Sequence, residues 1–212
     1  EGAHAFKRAD PAYAAALRAD AMRTVAALGA DLRRRDGTTW RWGQGPGAVA
    51  APGWFVGDAP DVTAVCVLGL AALQTDQPDP DVARLIARYG AAIAAWAPGR
   101  PGTSLAGAHL PGLGPSHWHA YGAHMLHALA AGGAAIGSRP LLAAARAEAD
   151  AFVPHLLVSG GPIAGFFPAP VFHPQIAYGV EPQVLGLLAL ADATGEPRYA
   201  KLAGLFGAWL AG

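Results

Sequence analysis

Apolar residues recur at three- and four-residue spacing in seven segments of the chain, the pattern of helices that bury at least one face. Most of these segments open on a residue that can cap free amides, with a proline close behind it. Asp10-Pro11 predicts a helix to about Leu32, Asp79-Pro80 one to about Ala97, and Ser138 with Pro140 one to about Leu156. Gly195 and Pro197 predict the last, to about Leu210. Proline suits such positions because its missing N–H would have no partner in the first turn anyway. Three further helices are predicted from near Pro60 to Gln74, from near His117 to Ala131, and from near Val180 to Thr194.

The connections alternate in length. Those near 75–79, 132–138 and 194–196 are short. Those near 33–58, 98–116 and 157–177 run to about twenty residues, longer than compact domains commonly use without a function for them. In an antiparallel array every second connection falls at the same end, so the three long ones are expected to crowd one end of the bundle.

A repeat supports the array. Val67-Leu68-Gly69-Leu70-Ala71-Ala72-Leu73 returns as Val184-Leu185-Gly186-Leu187-Leu188-Ala189-Leu190, and each copy is followed by a short turn, a proline and a second helix ending in Trp96 or Trp209. Tyr121 to Ala130, followed by Pro140 and Phe152, is a weaker third copy. Repeated helical hairpins are expected to form a solenoid or a closed toroid. The first helix of each pair is apolar nearly all round and is expected to be inner. The second, such as Asp81 to Trp96 with Arg84 and Arg88, carries a polar stripe and is expected to be outer.

Composition narrows the function. The chain has 212 residues, 53% of them hydrophobic and 14% charged, enough for a large core and unlike a disordered segment. Fifteen basic and fifteen acidic residues cancel, and only Arg33, Arg34 and Arg35 cluster, so neither a nucleic-acid nor an anionic-membrane footprint is expected. A single cysteine, Cys66, excludes an internal disulfide and a cysteine-based zinc site. No phosphate loop, dinucleotide fingerprint or G-x-S-x-G turn occurs. No apolar run is long enough to span a bilayer, the first residues lack the character of a signal peptide, and the chain opens without an initiator Met, as though cut from something longer.

Ile176 to Leu190, followed by Thr194-Gly-Glu-Pro-Arg-Tyr199-Ala-Lys-Leu-Ala-Gly-Leu-Phe206-Gly-Ala-Trp209, resembles a hairpin of the six-hairpin glycosidase superfamily, the (α/α)6 toroids. Ser116-His-Trp118-His-Ala-Tyr121-Gly is similar to the Trp- and His-bearing starts of their inner helices. The resemblance implies an all-α fold of (α/α) toroid type and a carbohydrate-active domain, a glycoside hydrolase before the alternatives of a non-catalytic glycan-binding or scaffold domain and of a uronate polysaccharide lyase or epimerase. It implies an oligo- or polysaccharide partner; no cofactor is expected, and no metal either, because His117, His119, His124 and His127 lack a carboxylate or further ligand at defined spacing. Secretion is common where such enzymes meet external polysaccharides, though the sequence itself fixes no compartment. Six hairpins need twelve helices and seven are predicted here, the first an outer helix without its inner partner. The chain therefore reads as a single helical domain over 1–212, about half of a toroid, which the rest of a parent chain would complete.

The same resemblance places the cleft where long connections enter inner helices, and unusual residues fall there. The first approach carries Trp40, Trp42, Trp54, Asp58 and Asp61. The second carries His117, Trp118, His119 and Tyr121, and the third His173, Tyr178 and Glu181. Trp42, Trp54, Trp118, Tyr121, Tyr178 and His173 are candidates to contact sugar, because a pyranose presents a C–H face that stacks on a ring; the same aromatics would also anchor loops. Glu181, one of four glutamates, is the first catalytic candidate, with Asp58, Asp61 and His119 beside it. Glycosidases use two carboxyl groups about 5–9.5 Å apart on opposite sides of the bond. Asp58 and Asp61 sit three residues apart and cannot serve opposite faces, so one of them is expected to act with Glu181 or with an acid from the missing half. Both also suit a capping box, and Glu181 also suits a helix N-terminus with no chemistry at all. His124 and His127 are expected to be buried and hydrogen-bonded. A lyase or epimerase would use Tyr121 or His119 as base, but no arginine is placed to neutralise a uronate carboxylate.

Overall fold

The computed structural model describes residues 7–35, 39–42, 49–52, 60–96, 118–158 and 181–211. The fold is all-α. Seven helices form among the described residues: α1 (Pro11–Arg35), α2 (Pro60–Asp76), α3 (Pro80–Trp96), α4 (Trp118–Ala135), α5 (Arg139–Val158), α6 (Glu181–Thr194) and α7 (Pro197–Ala211). A short antiparallel ribbon, β1 (Thr39–Trp42) and β2 (Val49–Pro52), lies in the connection between α1 and α2 and pairs Trp40 with Ala51 and Trp42 with Val49. The helical periodicity does not reveal this ribbon, although Thr-Trp-Arg-Trp is a composition that favours strands.

The caps behave as the sequence predicts. Asp10 Oδ1 accepts the Tyr13 amide at 2.9 Å, Asp79 Oδ1 accepts the Asp81 and Val82 amides at 2.8 and 3.2 Å, and Ser138 Oγ accepts the Leu141 amide at 3.4 Å. Gly137 and Gly195 end α4 and α6 at φ of 63° and 70°, where a side chain would be strained. The helix C-termini other than that of α6 differ from the sequence reading by one to four residues, α1 by running three beyond Leu32 to Arg35 and α4 the most. α4 runs four residues beyond Ala131, through Gly132 and Gly133, to Ala135. Both glycines are demanded by packing: a β-carbon on Gly132 would stand 2.9 Å from Val67 Cγ1, and one on Gly133 would stand 2.9 Å from Leu142 Cδ2.

The helices pack in two layers. α2, α4 and α6 lie side by side, α4 in the middle, and α3, α5 and α7 back onto them through the three short turns. The core between the layers is built from Ala64, Val67 and Leu70 of α2, Leu85, Ile86 and Tyr89 of α3, Met125 and Leu129 of α4, and Leu187 and Leu190 of α6. α1 adds itself to the outer layer against α3, with β2 also touching α3.

Successive outer helices run in the same direction. Along α1 and α3, Arg18 Nη2 donates to the Gln77 carbonyl at 3.2 Å, and farther along Tyr89 Oη donates to the Leu28 carbonyl at 3.3 Å. Between α5 and α7, Arg146 meets Glu196 at 2.7 Å and Asp150 meets Arg198 at 3.0 Å. Residue numbers rise together in both pairs, which is the mark of parallel neighbours. Gly90 of α3 meets Leu141 in the first turn of α5 with the same stagger, a β-carbon there standing 2.7 Å from Leu141 Cδ1. Each inner helix is antiparallel to the outer helix that follows it across a short turn. The three inner helices are therefore parallel, and their N-termini gather at one end.

Candidate functional site

That end receives all three long connections, because each of them enters an inner helix at its first residue. Asp61 is the second residue of α2, Trp118 and His119 are the first two of α4, Tyr121 is its fourth, and Glu181 is the first of α6. Their side chains lie outside the described residues, as do Trp54, Asp58, His173 and Tyr178 altogether. Trp42 is placed in β1 by its backbone alone.

The layer order sets what these positions can do together. Neighbouring helix axes stand about 8–10 Å apart. α4 lies between α2 and α6, so Asp61 and Glu181 are two spacings apart, whereas each is one spacing from His119 and Tyr121. The backbone positions of His119 and Tyr121 thus sit between those of Asp61 and Glu181. All three inner N-termini also present free amides and the positive ends of their helix dipoles, which favour carboxylates or anionic and hydroxyl-bearing ligands at this end.

Beyond its first turn, α4 is buried except along one stripe. His124, His127 and Ala131 are half-buried and share a face, at spacings of three and four residues. This differs from the expectation of enclosed histidines, and the reason is that among the described residues α4 is covered by α2, α6 and the outer layer on three sides and by none on the fourth. Both residues have interaction partners. Tyr121 precedes His124 by three residues and so occupies the same register, which extends the candidate site along α4 from the gathered end toward the middle of the layer. That stripe is visible in the sequence as Tyr121, His124 and His127, once α4 is known to be the central inner helix.

α2 and α6 flank the stripe and are less covered than inner helices should be. Val65 is 53% exposed, Leu185 46% and Leu188 41%. Cys66 on α2 is half-buried, and burial pushes its thiol above its ordinary value. Among the described residues no group of three metal-ligating side chains gathers, and no helix is long and apolar enough to cross a membrane.

The strongest polar network lies at the opposite end, by the short turn of the α6–α7 hairpin. Tyr199, 1% exposed, donates to Asp150 Oδ1 at 3.1 Å and accepts from Arg198 Nη2 at 2.6 Å. Arg198 also donates to Glu196 Oε2 at 2.9 Å, and Glu196 Oε1 accepts from Arg146 Nε at 2.7 Å. Burial first, then the hydrogen bond to Asp150, push the Tyr199 phenol up to about 12. Its partners all lie on the α5 and α7 hairpins, so it staples adjacent repeats and offers no open reactive group. A cleft of about 200 Å³ between α1 and α3, lined by Met22, Val25, Asp81 and Arg84, gathers no comparable chemistry.

No known protein family and no curated protein matches the chain.

Proposed function

We propose that the chain is a carbohydrate-active domain of (α/α) toroid type, and that its chemistry is glycoside hydrolysis at the end where α2, α4 and α6 begin. The observation that carries this reading is the gathering there of Asp61, His119, Tyr121 and Glu181 at the mouths of the three long, aromatic-rich connections. Glu181 is the acid that protonates the leaving oxygen; the acid that serves the opposite face comes from further hairpins of the parent chain, or is Asp61 where both side chains reach inward across the two helix spacings between them. His119 and Tyr121, between them, contact hydroxyls or relay protons. Trp118 and the connection residues Trp54, Trp42, Tyr178 and His173 supply stacking faces.

The interposition of α4 between Asp61 and Glu181 favours one alternative, a glycan-binding domain that holds sugar without cleaving it. Tryptophan-fluorescence titration with neutral and uronate oligosaccharides, followed by chromatography of the same mixtures, separates the two. Saturable quenching with new shorter products supports the hydrolase, and quenching without product supports the binding domain. A folded chain that responds to no oligosaccharide overturns both readings.

A further inference from the structure

The repeat identifies an empty helix seat on the inner layer. Gly69 of α2 and Gly186 of α6 occupy the same place in the two copies of the Val-Leu-Gly-Leu motif. Gly186 is buried against α4: a β-carbon on it would stand 3.1 Å from the His127 backbone nitrogen and 3.1 Å from Leu126 Cγ. Gly69 is exposed and meets nothing within 4 Å. The glycine side of α6 is thus the side on which the preceding inner helix rests, and the same side of α2 is open. Val65, one turn before Gly69, is 53% exposed beside it. On the other flank the relation reverses. Leu188 of α6 is 41% exposed, while its counterpart Ala71 is buried where α2 meets the next helix.

α1 shows what belongs in the seat. α3, α5 and α7 each follow an inner helix across a short turn, and α1 stands to α3 as α5 stands to α7, which makes it the outer member of one more hairpin. It is preceded by a turn at Lys7–Ala9. Lys7 Nζ bonds Asp76 Oδ1 at 3.1 Å, which places this turn beside the C-terminus of α2, at the end of the bundle where the other hairpin turns lie. Among the described residues no inner helix accompanies α1. A second copy of this chain is a poor occupant, because an α6 docked in the seat would bring its own α7 into the place α1 already fills.

We infer that the Val65–Gly69 side of α2 is the docking surface for one apolar helix of the same polypeptide, N-terminal to the Lys7–Ala9 turn, parallel to α2 and packed on Gly69 as Leu126 and His127 of α4 pack on Gly186. The inference rests on the repeat geometry and not on the carbohydrate reading, so either can fail alone. It is also restrictive: a helix that seats there needs a close backbone approach, since glycine is the residue it meets.

Cys66 reports on the seat directly, because it lies one turn before Gly69 on α2 and is half-exposed. The probe is the full chain extended ahead of Lys7 by a copy of residues 181–194, the chain's own inner helix. Filling the seat slows alkylation of Cys66 by about tenfold or more, since a covered thiol reacts only through opening. Gly69→Leu in the extended chain restores the fast rate, whereas Gly204→Leu, at an open glycine on α7, leaves the protection in place. An unchanged Cys66 rate in the extended chain overturns the inference. So does a concentration-dependent protection of Cys66 in the unextended chain, which would mean that a second copy fills the seat.

Discussion

Gly69→Ala and Gly186→Ala are the same substitution at equivalent places in the repeat, and the structure predicts opposite outcomes. A helix-interior alanine is favoured over glycine by about 0.5–1 kcal/mol, because glycine has more backbone freedom to lose. At Gly69 nothing stands within 4 Å of the new methyl, so that gain is kept. At Gly186 the methyl meets the His127 nitrogen and Leu126 Cγ, both at 3.1 Å, and the first of these belongs to the backbone of α4. A backbone held by α2, α5 and the outer layer cannot turn aside as a side chain can. Overpacking of this kind costs about 1–3 kcal/mol, which leaves Gly186→Ala destabilised by up to about 2 kcal/mol. For a chain of this size about 1 kcal/mol moves Tm by roughly 2–4 °C, so the two variants should differ by about 2–12 °C. Thermal and urea unfolding followed by circular dichroism reads this, with coincident probes as the check that unfolding is two-state. If Gly186→Ala is as stable as Gly69→Ala, the close α4–α6 approach is wrong, and with it the orientation of the inner layer.

Four other outcomes follow, three from named contacts and the last from the proposed function. Leu129→Ala, in the fully buried middle of α4, should cost about 2–5 kcal/mol in urea titration, the range for a large-to-small change in a packed core. The Tyr199 phenol is raised in the folded chain to about 12 against about 10 unfolded, so its contribution is fully present below pH ~10 and is lost as pH rises through 12. Tyr199→Phe should flatten that alkaline decline and cost about 1 kcal/mol or more at neutral pH, where Asp150 and Arg198 lose a partner. On the proposed hydrolase reading, Glu181→Gln and Asp61→Asn in the full-length protein should abolish turnover while leaving the circular dichroism spectrum intact; unchanged rates would remove both from that proposal.

Helix existence was legible because each helix carries its own punctuation. Asp10, Asp79 and Ser138 cap where a proline follows, and the short turns hold the glycines that end α4 and α6. Gly132 and Gly133 misled as an early stop for α4, because a glycine that admits Val67 and Leu142 looks, in one dimension, like a glycine that breaks a helix. The ribbon was hidden for a different reason: four-residue strands leave too short a pattern to compete with the Trp-rich connection around them. Connection lengths alone were enough to bring the three long connections to one end, since alternation of long and short is a property of topology. What they could not give is the order of the inner layer, and that order decides which residues are neighbours. Asp61 and Glu181 look like a pair in sequence reasoning, yet α4 stands between them and brings His119 and Tyr121 closer to each. His124 and His127 were assigned to the interior because α4 is apolar, and only the uncovered fourth side of that helix shows why they remain half-exposed.

The central claim is that three parallel inner helices deliver the candidate residues to one end. Spin labels at Val62, Ala120 and Gln183, taken in pairs on a Cys66→Ser background, measure it by dipolar spectroscopy. Parallel neighbours at about 8–10 Å between axes place the 62–120 and 120–183 pairs within about 20 Å, with the label arms included, and 62–183 about one helix spacing farther. An inner helix running the other way would move its label to the far end, roughly 20–27 Å along helices of this length at 1.5 Å per residue. Two short distances and one intermediate distance are the predicted result. A distance near 30 Å for either neighbouring pair would separate the candidate residues and contradict the site.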